Sequence, residues 1–255
     1  LTTDKKKITA KTLLEMKAAG EKITQMTAYD FTTAGIIDAA GIDSILVGDS
    51  ASNVMAGNQD TTPITVDQMI YHARAVVRAC HHCLVVCDMP FGSYQVSRED
   101  GIRNAIRIIK ETGAGAVKME GGKEIADTVK GIVDAGIPVI GHLGLTPQSI
   151  HKFGGYGLRA KEDTEAEKLI EDALALDAAG VSGITLEKVP AALANKVTAM
   201  VKAATIGIGA GNGTDGQVLV YADALGMTSG VTPKFLLHFS NVNKCMTEGV
   251  MDYIR

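Results

Sequence analysis

Short apolar runs alternate with longer mixed stretches along most of the chain. Strand-like runs fall at residues 23–28, 44–48, 84–87, 116–119, 138–141, 183–186 and 205–208. They are brief and rich in β-branched residues, which favours strands over buried helix. The stretches 66–78, 98–111, 123–134, 164–178 and 190–203 read as helices. Helix ends are marked by Ala40-Gly41, Thr112-Gly113, Ala135-Gly136 and Ala179-Gly180, where glycine supplies the left-handed closing conformation. Strand–helix alternation predicts a parallel sheet, because parallel neighbours need a crossover. Seven βα repeats are clear, and the eighth strand is placed at Ser229-Gly230-Val231. The expected α/β fold is a (β/α)8 TIM barrel, with an open doubly wound sheet as the alternative. No linker or shift in composition divides residues 1–255, so a single catalytic domain is expected.

One connection breaks the rhythm. After His142 the chain runs through Leu143-Gly144-Leu145-Thr146-Pro147-Gln148 and Phe153-Gly154-Gly155-Tyr156-Gly157 before the next helix. Long glycine-rich loops in compact domains are usually functional. Its place just after a strand suggests a loop that covers substrate.

Polar residues recur where the strands end. Tyr29-Asp30, Asp49-Ser50, Asp88, Lys118 with Glu120, His142 and Glu187 follow six successive strands. Barrel enzymes build their active sites at that face. Side chains two apart on a strand share a face, which groups Asp49 with Ile45 and Val47, Asp88 with Leu84 and Val86, and Lys118 with Glu120. Asp49, Asp88 and Glu120 are expected to converge. Carboxylates ~4 Å apart repel by about 4 kcal/mol at an effective dielectric of 20, so the trio needs protons or a cation. All-oxygen ligands favour a hard divalent ion, Mg²⁺ before Mn²⁺ or Ca²⁺. His142 reads equally as a ligand or as a hydrogen-bonding partner of substrate.

Composition adds bounds. The 255 residues suit one TIM barrel, and 46% hydrophobic with 21% charged residues allows a large core and a hydrated surface. A net charge of −4 gives no electrostatic reason to expect nucleic acid. Lys5-Lys6-Lys7 reads as a solvated run. Apolar runs are too short to cross a bilayer and the polar start shows no signal peptide, so a soluble cytoplasmic protein is expected. Of four cysteines, Cys80 and Cys83 flank His81-His82 and look like half of a zinc site. No second such pair exists, so these are read as ordinary thiols at the bottom of the barrel. The run Gly207 to Gly213 lacks the Lys-Ser/Thr ending of a P-loop and is a weak phosphate signal.

Several motifs together resemble the ketopantoate hydroxymethyltransferase family. They are Thr27-Ala28-Tyr29-Asp30, Val47-Gly48-Asp49-Ser50, Asp88-Met89-Pro90-Phe91, Val117-Lys118-Met119-Glu120-Gly121-Gly122 and Gly141-His142-Leu143-Gly144-Leu145-Thr146-Pro147-Gln148. Phe153-Gly154-Gly155-Tyr156, Leu186-Glu187 and Ile206-Gly207-Ile208-Gly209-Ala210-Gly211 complete the set, in family order. The resemblance implies a TIM barrel that passes a hydroxymethyl unit from 5,10-methylenetetrahydrofolate to 3-methyl-2-oxobutanoate. It implies Mg²⁺ at Asp49, Asp88 and Glu120. It implies keto-acid binding at Asp49, Ser50, Asp88 and Lys118, and Glu187 as proton acceptor. To the binding group His142 is added as a candidate from its place at a strand end. A homo-oligomer, decameric in the family, is also implied. Gly157-Leu158-Arg159-Ala160 departs from the family's usual loop, and Ala203-Ala204 replaces its common Ile-Pro pair. Alternatives are a Mg²⁺-dependent keto-acid lyase or mutase of the phosphoenolpyruvate mutase/isocitrate lyase type, and a silent barrel acting as a binding protein. The reactive Lys-Arg-Cys-Gly-His-like loop of those lyases is not found in the sequence.

Overall fold

In the computed structural model, which describes residues 6–228 and 233–255, the strands form a closed parallel barrel in chain order. They are β1 (Ile23–Thr27), β2 (Ser44–Val47), β3 (Leu84–Asp88), β4 (Ala116–Glu120), β5 (Val139–Gly144), β6 (Gly183–Glu187), β7 (Ala204–Ile208) and β8 (Gly216–Leu219). Parallel pairing of β8 with β1 completes the ring, which excludes the open sheet. The helices are α1 (Ala10–Ala19), α2 (Phe31–Ala39), α3 (Ala51–Val54), α4 (Val66–Ala79), α5 (Arg98–Thr112) and α6 (Ala126–Asp134). Then come α7 (Ile150–Phe153), α8 (Asp163–Ala179), α9 (Ala191–Met200), α10 (Tyr221–Ala224) and α11 (Val242–Ile254). Among the described residues, no helix is long and apolar enough to cross a membrane.

Local chemistry sets the helix bounds. On α5 the Ser97 side chain accepts from Asp100 N, Glu99 and Asp100 occupy the positive first turn, and Gly113 closes the end at φ 79°. Its buried positions Gly101, Ala105, Ile108 and Thr112 repeat at helical spacing and face the strands. Burying a side chain such as Ile108 contributes about 1.5–3 kcal/mol. On α4 a reciprocal cap joins Thr65 and Gln68.

Two apolar cores follow from strand parity. Ile45, Val47, Val117, Val139, Ile184 and Leu186 point outward and pack under the helices. Leu46, Leu84, Val86, Ala116, Ile140 and Ile206 point inward and fill the lower barrel. Leu13 of α1, 1% exposed, belongs to this inner core and plugs the floor. The upper interior continues the inward parity of β3, β4, β5 and β6 with Asp88, Lys118 and Glu120, His142, and Thr185 and Glu187.

Four sequence expectations need correction. The eighth strand is Gly216–Leu219, whereas Ser229-Gly230-Val231 falls outside the described residues. Pleat parity with Ile45 and Val47 would turn Asp49 toward the helices, yet it lines the barrel mouth. Strand β2 ends at Val47, so the turn through Gly48 aims Asp49 rather than the ladder. The stretch 123–134 opens as a 3-10 turn, Lys123–Ile125, before α6. The connection after β5 is partly ordered, with a 3-10 turn at Pro147–Ser149 leading into α7.

Candidate active site

Each strand end delivers its polar residue to one cavity of about 120 Å³. Asp49, Ser50, Asp88, Lys118, Glu120, His142 and Glu187 all line it, whereas Asp30, also read at a strand end, caps α2 by accepting from Thr33 N. Asp49, Asp88, Lys118, Glu120 and His142 are buried, and Glu187 is partly open. A pocket of this size admits only a small ligand, well below the volume that drug-sized ligands occupy.

The charges interlock. Lys118 Nζ lies 2.8 Å from Asp88 Oδ1 and 3.2 Å from His142 Nδ1. The same His142 Nδ1 is 3.2 Å from Glu120 Oε1, and its Nε2 is 3.2 Å from Glu187 Oε2. Burial and the Lys118 charge would lower the His142 imidazolium, but Glu120 and Glu187 outweigh them and push it up to about 9. Burial would likewise lower the Lys118 ammonium, and the Asp88, Glu120 and Asp49 carboxylates raise it overall. Glu120 is held below its ordinary range because His142 and Lys118 outweigh its burial. Asp49 goes the other way. Burial first, then the Asp88 and Glu120 charges, drive it well above the usual carboxylate range. Burial also raises Asp88, despite Lys118.

Fully ionised, four carboxylates face two cations here, leaving two negative charges. Asp88 Oδ1 and Glu120 Oε1 are buried with only the Lys118 ammonium and the His142 ring beside them, contacts that fall outside hydrogen-bond geometry. Buried orphan oxygens of this kind are costly unless a further cation or proton satisfies them. The donor set therefore fits a hard divalent ion. The fit is a loose one. Among the described residues, no choice of one oxygen each from Asp49, Asp88 and Glu120 brings all three within 4.8 Å of one another. Magnesium suits such a spread arrangement, since it usually keeps several waters and is held through one or two carboxylates.

Gln148, Tyr94 and Thr61 were not singled out from the sequence, and Tyr29 and Thr185 were placed at strand ends without a role. Gln148 donates from Nε2 to Asp49 Oδ2 and to Met89 O, each at 2.9 Å, and from its backbone N to Glu120 Oε2 at 2.9 Å. Tyr94 OH donates to Gln148 Oε1 at 2.7 Å and accepts from Glu120 N at 3.0 Å. Tyr29 OH and Ser50 Oγ lie 2.7 Å apart. Thr61 Oγ1 and Thr185 Oγ1 are buried without partners on the same cavity wall. The available signals were the polar Thr-Pro-Gln turn after His142 and the placement of Thr185 two before Glu187, on the same face of the strand.

Backbone constraints fix the β6 end. Gly144 has φ 89°, and a Cβ there would strike Glu187 O, so only glycine lets Leu145 N reach that oxygen at 2.8 Å. Lys188 is left-handed at φ 46°, which costs a non-glycine residue about 1–3 kcal/mol. It is over-determined by Lys188 N to Ile208 O, Arg159 N to Lys188 O and Lys188 Nζ to Tyr156 O. These bonds fasten the Tyr156 loop to the strand end bearing Glu187. The Gly207 to Gly213 run serves packing, with Gly211 against Ala191 and Gly213 against Asn195.

Comparison with known proteins then distinguishes among barrels of this shape. The family model for ketopantoate hydroxymethyltransferase matches residues 7–255. A 3-methyl-2-oxobutanoate hydroxymethyltransferase of Flavobacterium johnsoniae is 60% identical, covering 98% of this chain and 92% of its own. That of Bacteroides fragilis is 57% identical over 100% and 93%. Among solved structures, a putative phosphonomutase from Burkholderia cenocepacia J2315 superposes with TM-score 0.67 at 15% identity, covering 96% and 97%. A phosphonopyruvate hydrolase complexed with oxalate and Mg²⁺ gives TM-score 0.64 at 11% identity, over 96% and 85%. These two share the fold alone.

Proposed function

The chain belongs to the ketopantoate hydroxymethyltransferase family of transferases, and we propose that it makes ketopantoate from 3-methyl-2-oxobutanoate and 5,10-methylenetetrahydrofolate, a step of pantothenate biosynthesis. The observation that carries the mechanism is the single cavity in which Asp49, Ser50, Asp88, Lys118, Glu120, His142 and Glu187 meet, with four carboxylates against two cationic side chains. The low-identity likeness to mutases and hydrolases supports only the shared barrel, so the transferase reading outranks the lyase one.

In this reading Asp49, Asp88 and Glu120 would hold Mg²⁺. The ion would act as a Lewis acid, withdrawing electron density through the keto oxygen and acidifying the C3–H of the keto acid. Lys118 and Ser50 bind the acid, Lys118 balancing its carboxylate. Glu187 takes the C3 proton, and His142, 3.2 Å away, orients its carboxylate. The C3 electron pair then forms the new bond to the methylene carbon of the folate. One C–N bond to that carbon breaks on each side of the addition, water supplies the hydroxyl, and tetrahydrofolate leaves. Lys188 and the Tyr156 loop limit water at Glu187. The whole chain, residues 1–255, acts as one catalytic domain in the cytoplasm.

Assembly completes the proposal. Helix α11 has no buried residue, yet Met246, Val250, Met251 and Ile254 form an exposed apolar set. A second copy of the chain covers it, in the homo-oligomer the family resemblance implies. Light scattering should report an assembly that Met246→Glu with Val250→Glu reduces to smaller species; a wild-type monomer would refute this part. For the activity, the chain is incubated with 3-methyl-2-oxobutanoate, Mg²⁺ and methylenetetrahydrofolate. Ketopantoate should accumulate and should need the metal. No product across metals and pterins would overturn the reading.

A further inference from the structure

At the opposite end of the barrel, the Cys80-His81-His82-Cys83 turn links α4 to β3. The sequence offered two sulfur donors there and no complement. Folding supplies a third donor from α2. Asp38 lies with Cys80 and Cys83 so that one oxygen and both sulfurs fall within 4.8 Å of one another, all three residues being buried. We propose that these three side chains form a second metal site, separate from the one at the strand ends, which takes Zn²⁺ with water as fourth ligand.

Three further features support a bound cation. Asp38 is clamped in place. Its Oδ2 accepts from His81 N at 2.9 Å and its Oδ1 from Cys83 N at 2.8 Å, with His82 N also in reach of both oxygens. Backbone donors of this kind fix a ligand's orientation and keep it ionised, and three N–H groups on a carboxylate's four lone-pair positions leave one position for an ion. Next, Cys80 and Cys83 border a cavity of about 300 Å³, from which an ion and its water would reach the cluster. Finally, Lys7 and Lys11 border that cavity, which offsets the single negative charge left by two thiolates, one carboxylate and a divalent ion. Two thiolates select a borderline-soft, tetrahedral ion over Mg²⁺, so the two sites sort their metals by donor type. Neither histidine belongs to that cluster. His82 Nδ1 pairs with Lys6 O at 3.0 Å, and Ile8 N donates to His82 O at 2.8 Å. The site would therefore tie the floor of the barrel to the segment entering α1.

The test uses the full-length protein, reduced with a phosphine, freed of metal and reloaded with Co²⁺ or Zn²⁺ in excess Mg²⁺. Cobalt should produce the near-ultraviolet charge-transfer absorption of thiolate ligation, at one ion per chain. Zinc should slow labelling of the two thiols by at least about tenfold, since a metal-bound thiolate is not free to react. Cys80→Ala should abolish the absorption and leave hydroxymethyl transfer unchanged. Cys83→Ser, a milder replacement in the core, should do the same. Absence of the absorption in the reduced wild type would overturn the site, as would its persistence in Cys80→Ala. Unchanged thiol labelling with zinc present, or a stable Cys80–Cys83 disulfide under these reducing conditions, would overturn it equally.

Discussion

The lower and upper halves of the barrel interior are made by the same strands and obey opposite rules. Below, Leu46, Leu84, Val86, Ala116, Ile140 and Ile206 close on Leu13 as a dry plug. Above, two or four residues further along the inward faces, Asp88, Lys118, Glu120 and His142, joined by Glu187 of β6, crowd into a cavity. The lower half gains by removing apolar surface from water. The upper half gives up part of that gain by burying charges whose balance is incomplete. Stability and chemistry are thus stacked along one axis: a substitution below should cost stability and leave turnover intact, whereas removing a buried charge above should cost chemistry and raise stability.

The largest expected effect tests the upper half. Glu187→Gln should slow exchange of the substrate C3 proton with solvent by about 10²–10⁴-fold, the usual worth of a general base, while metal-dependent keto-acid binding persists. Full exchange, followed by proton NMR, would remove Glu187 from that role. The lower half is tested by Leu13→Ala, which should cost about 2–5 kcal/mol in denaturant unfolding. Turnover well below the unfolding transition should be unaffected; a matching loss of turnover would break the division. Asp49→Asn is a sharper probe of the same contrast. It should stabilise the metal-free protein by about 1 kcal/mol, because it removes a charge that burial and its neighbours disfavour. It should also abolish the stabilisation that Mg²⁺ gives the wild type.

A smaller effect lies in pH. His142 is raised from 6.5 to about 9 on folding, so its contribution is complete below pH 6.5 and is lost as pH climbs through about 9. Asp49 and Asp88, also raised, act in the same direction. The metal-free protein should therefore melt at progressively lower temperature across that window. Mg²⁺ should offset the decline increasingly at higher pH, because its ligands must be deprotonated. A flat profile without metal would contradict the charge arrangement.

Most of the ring was legible in the sequence because a strand buried on both faces is a compact apolar run. The exceptions have physical causes. Strand β8 has four residues, starts on Gly216 and alternates buried with exposed positions, so it resembles the tail of the glycine run before it. Helix α1 caps a barrel end rather than flanking the sheet, burying only Ala10 and Leu13, so no apolar stripe announces it. The charged site residues were readable from strand ends, and Asp49 arrived at the right place for a different reason from the one parity gives. Gln148 and Asp38 were not readable as partners. Each earns its role through contacts across distant parts of the chain, Gln148 with Asp49 and Asp38 with Cys83.

Gln148 carries a consequence for motion. One residue on the turn after β5 holds Glu120 by its backbone and Asp49 by its amide. An ion that draws those carboxylates inward must move the turn with them, so the turn's position and the ion's affinity are two readings of one equilibrium. Loading magnesium should be visible as slower amide hydrogen exchange at residues 145–153. Any substitution that loosens that turn should weaken ion binding from outside the ligand set.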